Sequence, residues 1–582
     1  MNKAIRKLGI GSLLALSAVL SASAQQAPTE RVIFLNQAWS QEDREWYYNF
    51  SQGSAIIWYD VFLNLEVAGS QELFRSDANS RAFGLMPQAA NWNNKDAVPI
   101  GISKTTVATP IKGWPAGEYA GLTCAACHEA QLSYEGKHIR IEGGASTTVN
   151  LQGLIRSLDE SMQATLSDPA KFDRLAARIG ASSADAKASL RKRMEPDAAR
   201  VHQYATRTSV TLSPWGPGRM DALTMIADRV TSTLPELPEN WSSGSAPVKP
   251  PFLWNAPQGL WTQWAAFQQD PIHRNFGETE GVYMPIDLSS KTPAEGLFDS
   301  NGAVLDLQRV ENLLSRLAPP SWPEDLFGKI DRDKAKAGKA LFTEYCASCH
   351  NAWPYRWTEP NKYGKRFVLV GTTPQTYVGT DRTQSEVLRP FALTGELAKY
   401  LPGEFRNKPI LPTKDFLVLL QGAVRDKAIE KLKLTEEQAA NLHGYRETPL
   451  QPIPDLVYKA APRDGVWATP PFMHNGSVPN LYEMLIPAKE RTKKFHRGQE
   501  FDPVKVGLVT TQSSGYLMDT TLLGNSNSGH SFEEGPRGSG VIGPLLKDEQ
   551  RWALVEYLKS IPETPGRVTP FGGPSEGQLP QK

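Results

Sequence analysis

All four cysteines of the 582-residue sequence fall in two pentads of one pattern, Cys124-Ala125-Ala126-Cys127-His128 and Cys346-Ala347-Ser348-Cys349-His350. No other feature limits the chain as strongly. A disulfide framework has no use for a histidine after each second cysteine, and a zinc site needs two further ligands near each pair. Redox C-x-x-C motifs do without the trailing histidine. C-x-x-C-H is the attachment pattern of a c-type haem, in which the thiols bond to the vinyl carbons and the adjacent imidazole ligates the iron. The two pentads therefore predict two covalently bound c-type haems, attached at Cys124, Cys127, Cys346 and Cys349. His128 and His350 are their proximal iron ligands.

Haem attachment of this kind agrees with an exported chain. Lys3, Arg6 and Lys7 precede an apolar stretch from Leu8 to Leu20, and Ala22-Ser23-Ala24 supplies a cleavage pattern. We expect a signal peptide over 1–24 and a periplasmic or secreted protein. The apolar stretch is too short to span a bilayer comfortably, and no later segment approaches ~18 uninterrupted apolar residues, so no transmembrane segment is expected. The formal net charge of +1 gives no general reason for a nucleic-acid partner.

The length allows two domains, and one haem per domain is the natural division. We expect an N-terminal haem domain over 25–325 and a C-terminal cytochrome c domain over 326–562. A disordered tail follows over 563–582, and the proline-rich run 317–323 is the linker. Residues 333–342 and 546–561 read as helices, and the pair resembles the first and last helices of the cytochrome c fold, which cross beside the haem. The first pentad follows Gly117-Glu118-Tyr119-Ala120-Gly121 instead of a helix. With 46 glycines and 44 prolines, the expected fold is mainly α with extensive loops. It comprises two cytochrome c-like haem domains, the N-terminal one strongly elaborated. Helices over 150–194 carry charged faces that read as solvated surface.

The second axial ligands are the next question. His530 closes the glycine- and asparagine-rich run 524–530, a loop able to approach a haem face, and is the candidate for the C-terminal iron. Met518 is its competitor. His474, within Pro470-Pro471-Phe472-Met473-His474-Asn475-Gly476-Ser477, reads as a structural neighbour of the haem. Near the first pentad no such histidine offers itself. Instead, Phe252, Trp254, Trp261, Trp264, Phe267 and Phe276 form an aromatic-rich stretch. Most of these read as core. A few over the N-terminal iron would leave it an open position in a dry pocket, suited to O₂ or peroxide.

Several segments together resemble the di-haem rubber oxygenases, which sit beside the bacterial di-haem cytochrome c peroxidases and MauG-type enzymes. They are the two pentads, Tyr134-Glu135-Gly136, 215–222, Arg274-Asn275-Phe276-Gly277-Glu278, Val378-Gly379-Thr380-Asp381, 467–477 and 524–530. The likeness runs from about Gln37 to Ile561. It implies O₂-dependent cleavage of alkene double bonds, as in polyisoprene, at the N-terminal haem. The positions matching the family's distal phenylalanine and tryptophan are Phe276 and Trp261. The implied partners are O₂ and an apolar alkene or polymer, with a small redox protein as a further candidate. A peroxidase using Glu278 or Gln263 for proton handling is the alternative, and a pure electron carrier with both irons six-coordinate is a third reading.

Overall fold

The structure is a computed structural model that describes residues 32–568, apart from 362–364, 437, 439–441 and 443–454. The expected signal peptide lies outside the described residues. So does 569–582 of the expected tail, whereas 563–568 is tied down by Arg567 on Asp464 (2.6 Å) and Lys339 on Glu563 (2.6 Å).

The expectation of a mainly α fold is corrected. Helix accounts for 38% and strand for 15%, and the described strands are divided among seven small sheets. The first pentad sits between two of these. Gly117–Leu122 is the central strand of one, flanked by Ile57–Trp58 and Ile102–Val107, both antiparallel to it. After the pentad, Glu129–Tyr134 and Lys137–Glu142 form a hairpin, and Val32–Phe34 adds a parallel edge strand. The hairpin turn is Glu135-Gly136, both with positive φ, the geometry that matches the twist of a two-residue connection. Strands of two to six residues, some paired with partners far along the chain, leave little local periodicity, which is why the sequence reads as loop there.

The helices over 150–194 are present as Leu151–Ser167, Pro169–Ile179 and the first half of Ala184–Gln203. They are more than solvated surface. Leu151, Leu154, Ile155, Leu158 and Met162 are buried in an apolar cluster shared with the sheet around Tyr119. Glu66, buried beside them, pairs with Lys171, Arg174 and Arg178.

In the C-terminal half, Asp331 caps the helix Arg332–Tyr345, whose end delivers the second pentad. It crosses the helix Asp548–Ser560 with Phe342 against Tyr557 (ring centroids 5.2 Å apart). The crossing depends on Gly338, since a Cβ there would stand 1.9 Å from the Ala553 carbonyl oxygen. One apolar core contains residues of both halves, from Trp39 and Val310 to Trp467 and Leu554. The segment 317–323 is packed into it, and Trp467 donates its indole N–H to the Pro320 carbonyl (2.9 Å). No described helix is long and apolar enough to cross a membrane.

Candidate functional site

Both pentads form tight turns that bring the histidine back over the first cysteine. The amide of His128 donates to the Cys124 carbonyl (2.9 Å), and that of His350 to the Cys346 carbonyl (2.8 Å). Each imidazole then gives its Nδ1–H to a backbone carbonyl: His128 to Pro251 (2.8 Å) and His350 to Ala461 (2.9 Å). This fixes the tautomer and leaves Nε2 free, the arrangement a metal-bound histidine needs. Burial holds the pKa of His128 down at about 4 and that of His350 well below the usual range, so both imidazoles are neutral. Burial also pushes the thiol pKa of Cys127 and Cys346 up to about 12, which disfavours a thiolate but not an uncharged thioether. Among the described residues no group of three or more His, Cys, Asp and Glu gathers, so neither pair is completed into a protein-only metal site. The donor set fits covalent haem at each pentad.

Beside the second pentad lies a cavity with about 1500 Å³ of empty volume. His530 faces His350 within it, their ring centroids 6.3 Å apart. A metal–imidazole bond of about 2 Å puts each ring centroid about 3 Å from the metal, so two trans imidazoles on one metal stand roughly 6 Å apart. His530 is held there by its loop. Its amide donates to the Val378 carbonyl (2.7 Å), and Gly529 lies so close to Gly379 that a Cβ would be 2.1 Å from the carbonyl carbon. Arg491 clamps the same loop, donating to the carbonyls of Asn527 (2.7 Å), Gly529 (2.8 Å) and His530 (2.7 Å). The buried Nδ1 of His530 has no hydrogen-bond partner, and burial keeps the ring neutral with a pKa of about 3. Met518 is elsewhere, packed with Phe495 and Leu508 in the Lys494–Arg497/Tyr516–Asp519 ribbon. His474 is on the cavity wall, stacked on Tyr458 (4.3 Å).

The cavity beside the first pentad has about 890 Å³ of empty volume. Of the six aromatic residues singled out, Phe252, Trp254, Trp261 and Trp264 line it, with Phe252 stacked on Trp254 (4.6 Å). Phe267 and Phe276 do not. The helix Pro271–Gly281, capped by Asp270, presents Arg274, Asn275 and Glu278 to the cavity. Phe276 lies on its other side, fully buried in an apolar cluster with Met284, Leu307 and Phe416. The Phe276 ring presses on Gly302, where a Cβ would be 2.5 Å away. Among the described residues, His128 is the sole histidine lining this cavity, and no methionine lines it. His138 bonds Ser133 (3.1 Å) and His202 bonds Asp159 (2.9 Å).

The cavity floor is charged. Arg274 pairs with Glu311 and stands 4.0 Å from Glu278. Burial raises the pKa of Glu278, with Arg274 opposing. Glu278 has 40% of its side-chain surface open, and it lines the cavity, as does Gln263. Lys459 completes the group, its pKa brought down to about 7 first by burial and then by Arg274. Lys459 and Arg463, together with Phe252 and Trp264, line both cavities and so form their common wall. Sequence reasoning missed Lys459, Arg463 and Arg491. A basic residue at each end of 459–463, just before the 467–477 motif, was the available signal for the first two.

A family model described as RoxA-like, cytochrome c-like matches residues 457–496, the stretch that runs from this wall to the Arg491 clamp. The chain contains a cytochrome c-like segment of the kind that binds haem covalently. Among curated proteins, one from Sinorhizobium fredii described as uncharacterized protein y4iJ is 32% identical, with 91% of this chain and 94% of that protein covered. A second protein of that organism, uncharacterized protein y4iM, is 26% identical over 55% of this chain and 68% of its own length.

Proposed function

The chain belongs to one family with the y4iJ protein of Sinorhizobium fredii and carries a RoxA-like cytochrome c segment, and on that footing we propose an exported di-haem c-type oxidoreductase. Its reaction is the O₂-dependent cleavage of double bonds in an apolar, polyisoprene-like alkene at the N-terminal haem. His350 and His530 would hold the C-terminal haem, which would supply electron transfer. The observation that supports this division is an asymmetry: His530 faces His350 at 6.3 Å, whereas among the described residues lining the other cavity His128 is the sole histidine and there is no methionine.

Haem bound at the first pentad supplies the O₂ and redox chemistry. The chain's own residues position and exclude. Trp254, Trp261 and Phe252 give the cavity apolar walls that hold a hydrocarbon chain and keep water out. Trp261 shapes the substrate side. Phe276 acts from behind, anchoring the helix that presents Arg274, Asn275 and Glu278. Phe252 and Trp264, on the common wall, are the groups through which electrons cross between the two sites.

The test is O₂ uptake by the purified protein with polyisoprene latex, without peroxide or reductant, together with carbonyl analysis of the products. Uptake with aldehyde and ketone ends supports the reading, and absence of both removes this substrate. A peroxidase reading has one observation in its favour: Glu278 and Gln263 both line the N-terminal cavity, a carboxyl and an amide placed to handle protons. Sustained consumption of H₂O₂ with a reduced small redox protein as donor would support it. The mature chain is expected to begin at Gln25, which intact mass of the exported protein checks.

A further inference from the structure

The common wall has an electrostatic peculiarity. Among the described residues, the C-terminal cavity is lined by four Lys or Arg side chains, Lys249, Lys459, Arg463 and Arg537, and by no aspartate or glutamate. Two of these cations are accounted for. Lys249 donates to the Thr469 carbonyl, and Arg537 lies at the exposed rim over the Tyr345 ring (5.9 Å). Lys459 and Arg463 are not. The Lys459 ammonium has no hydrogen bond or ion pair to a described residue, and Glu278 acts on it only at longer range. Arg463 Nε stands 3.0 Å from His350 Nδ1, but that nitrogen carries the proton given to Ala461, so the approach satisfies no donor. On the N-terminal side Arg274 already has Glu311 and Glu278.

Two cations withdrawn from bulk water and lacking carboxylate partners are expensive to keep unless an anion meets them. Both line both cavities, so an anion in either cavity can reach them. A haem carries two propionate carboxylates, and charge-assisted bonds to ammonium and guanidinium are the strong ones. We propose that Lys459 and Arg463 anchor propionates of both haems across the common wall, forming one cationic bridge that couples the two irons electrostatically. This inference rests on the two-haem reading above.

A cation near a haem favours the reduced iron, which carries one positive charge fewer. Removing a shared cation therefore lowers the midpoint potential of both haems, whereas a cation serving one haem moves one potential. The experiment is a spectroelectrochemical titration of the holoprotein as parent, Lys459→Gln and Lys459→Arg, with haem counted by pyridine haemochrome absorbance. In Lys459→Gln both reduction equilibria should shift about tenfold or more toward the oxidised side, about 59 mV for a one-electron couple. Lys459→Arg should stay near the parent. Resonance Raman propionate-bending bands give a second readout: those of both haems should shift between parent and Lys459→Arg, which retains the charge and alters the contact. Unmoved potentials, movement of a single haem, or unchanged propionate bands overturn the inference while leaving the two-haem reading standing. A parent chain carrying one haem overturns both.

Discussion

The C-terminal cavity is framed by a helix crossing and a glycine loop, and it meets its pentad histidine with a second histidine. The N-terminal cavity is framed by the irregular run 251–264 and one helix, and its lining combines the pentad histidine with indole rings and a carboxyl group. Both sites solve the proximal side in the same way, with Nδ1–H given to a backbone carbonyl next to or on a proline. The difference lies entirely on the other face. Closing that face with a strong ligand suits electron transfer, and leaving it to apolar side chains suits reaction with an incoming molecule.

The largest effect should come from opening the closed side. His530→Ala is expected to convert the C-terminal haem from low spin to high spin with haem content unchanged, so that the reduced protein binds two equivalents of CO instead of one. Met518→Ala should leave spin state and CO stoichiometry at parent values. Gly529→Ala, forced against Gly379, should give a mixed-spin population. One equivalent of CO in His530→Ala would break the comparison.

Next comes the helix behind the open side. Phe276→Ala empties a fully buried site and should cost about 3–5 kcal/mol in denaturant unfolding. Phe276→Leu should recover much of the stability and most of the turnover, as a positioning role requires. Turnover abolished in Phe276→Leu at parent-like stability would place the ring at the chemistry instead. Trp261→Ala, on the cavity wall, should reduce alkene turnover by about tenfold, near the worth of one well-packed aromatic contact. The C-terminal midpoint potential should not move.

The smallest effect is a pH dependence on the N-terminal side. There burial pushes the pKa of Glu280 from 4.5 up to about 8, with Arg229 opposing. It binds its proton more tightly folded than unfolded, so its contribution is complete below about 4.5 and is lost as pH rises through about 8. The thermal midpoint should fall across that window, and Glu280→Gln should flatten the fall. A parent-like slope in the variant would assign the dependence to another group.

The pentads, the two crossing helices and the His530 loop were legible because each rests on local chemistry: a five-residue motif, a helical period, a run of glycines. The strands around the first pentad were not, since Ile57–Trp58 has two residues and finds its partner at Tyr119 and Ala120. Phe276 shows another limit. The Arg274–Glu278 motif was read as one unit, but a helix places Phe276 about half a turn from the face carrying both neighbours, so the motif reaches the cavity while its aromatic residue enters the core. The acceptor carbonyls of Pro251 and Ala461 carry no side-chain signal at all. Lys459 and Arg463 acquire meaning only when two cavities share a wall.

The Arg491 clamp has a consequence for speed. Electron transfer is slowed by whatever must rearrange when the charge arrives. A ligand loop pinned through three carbonyls and wedged glycine against glycine has almost nowhere to go. In the proposed electron-transfer role, a loop so held would give the His530 site a low reorganisation energy.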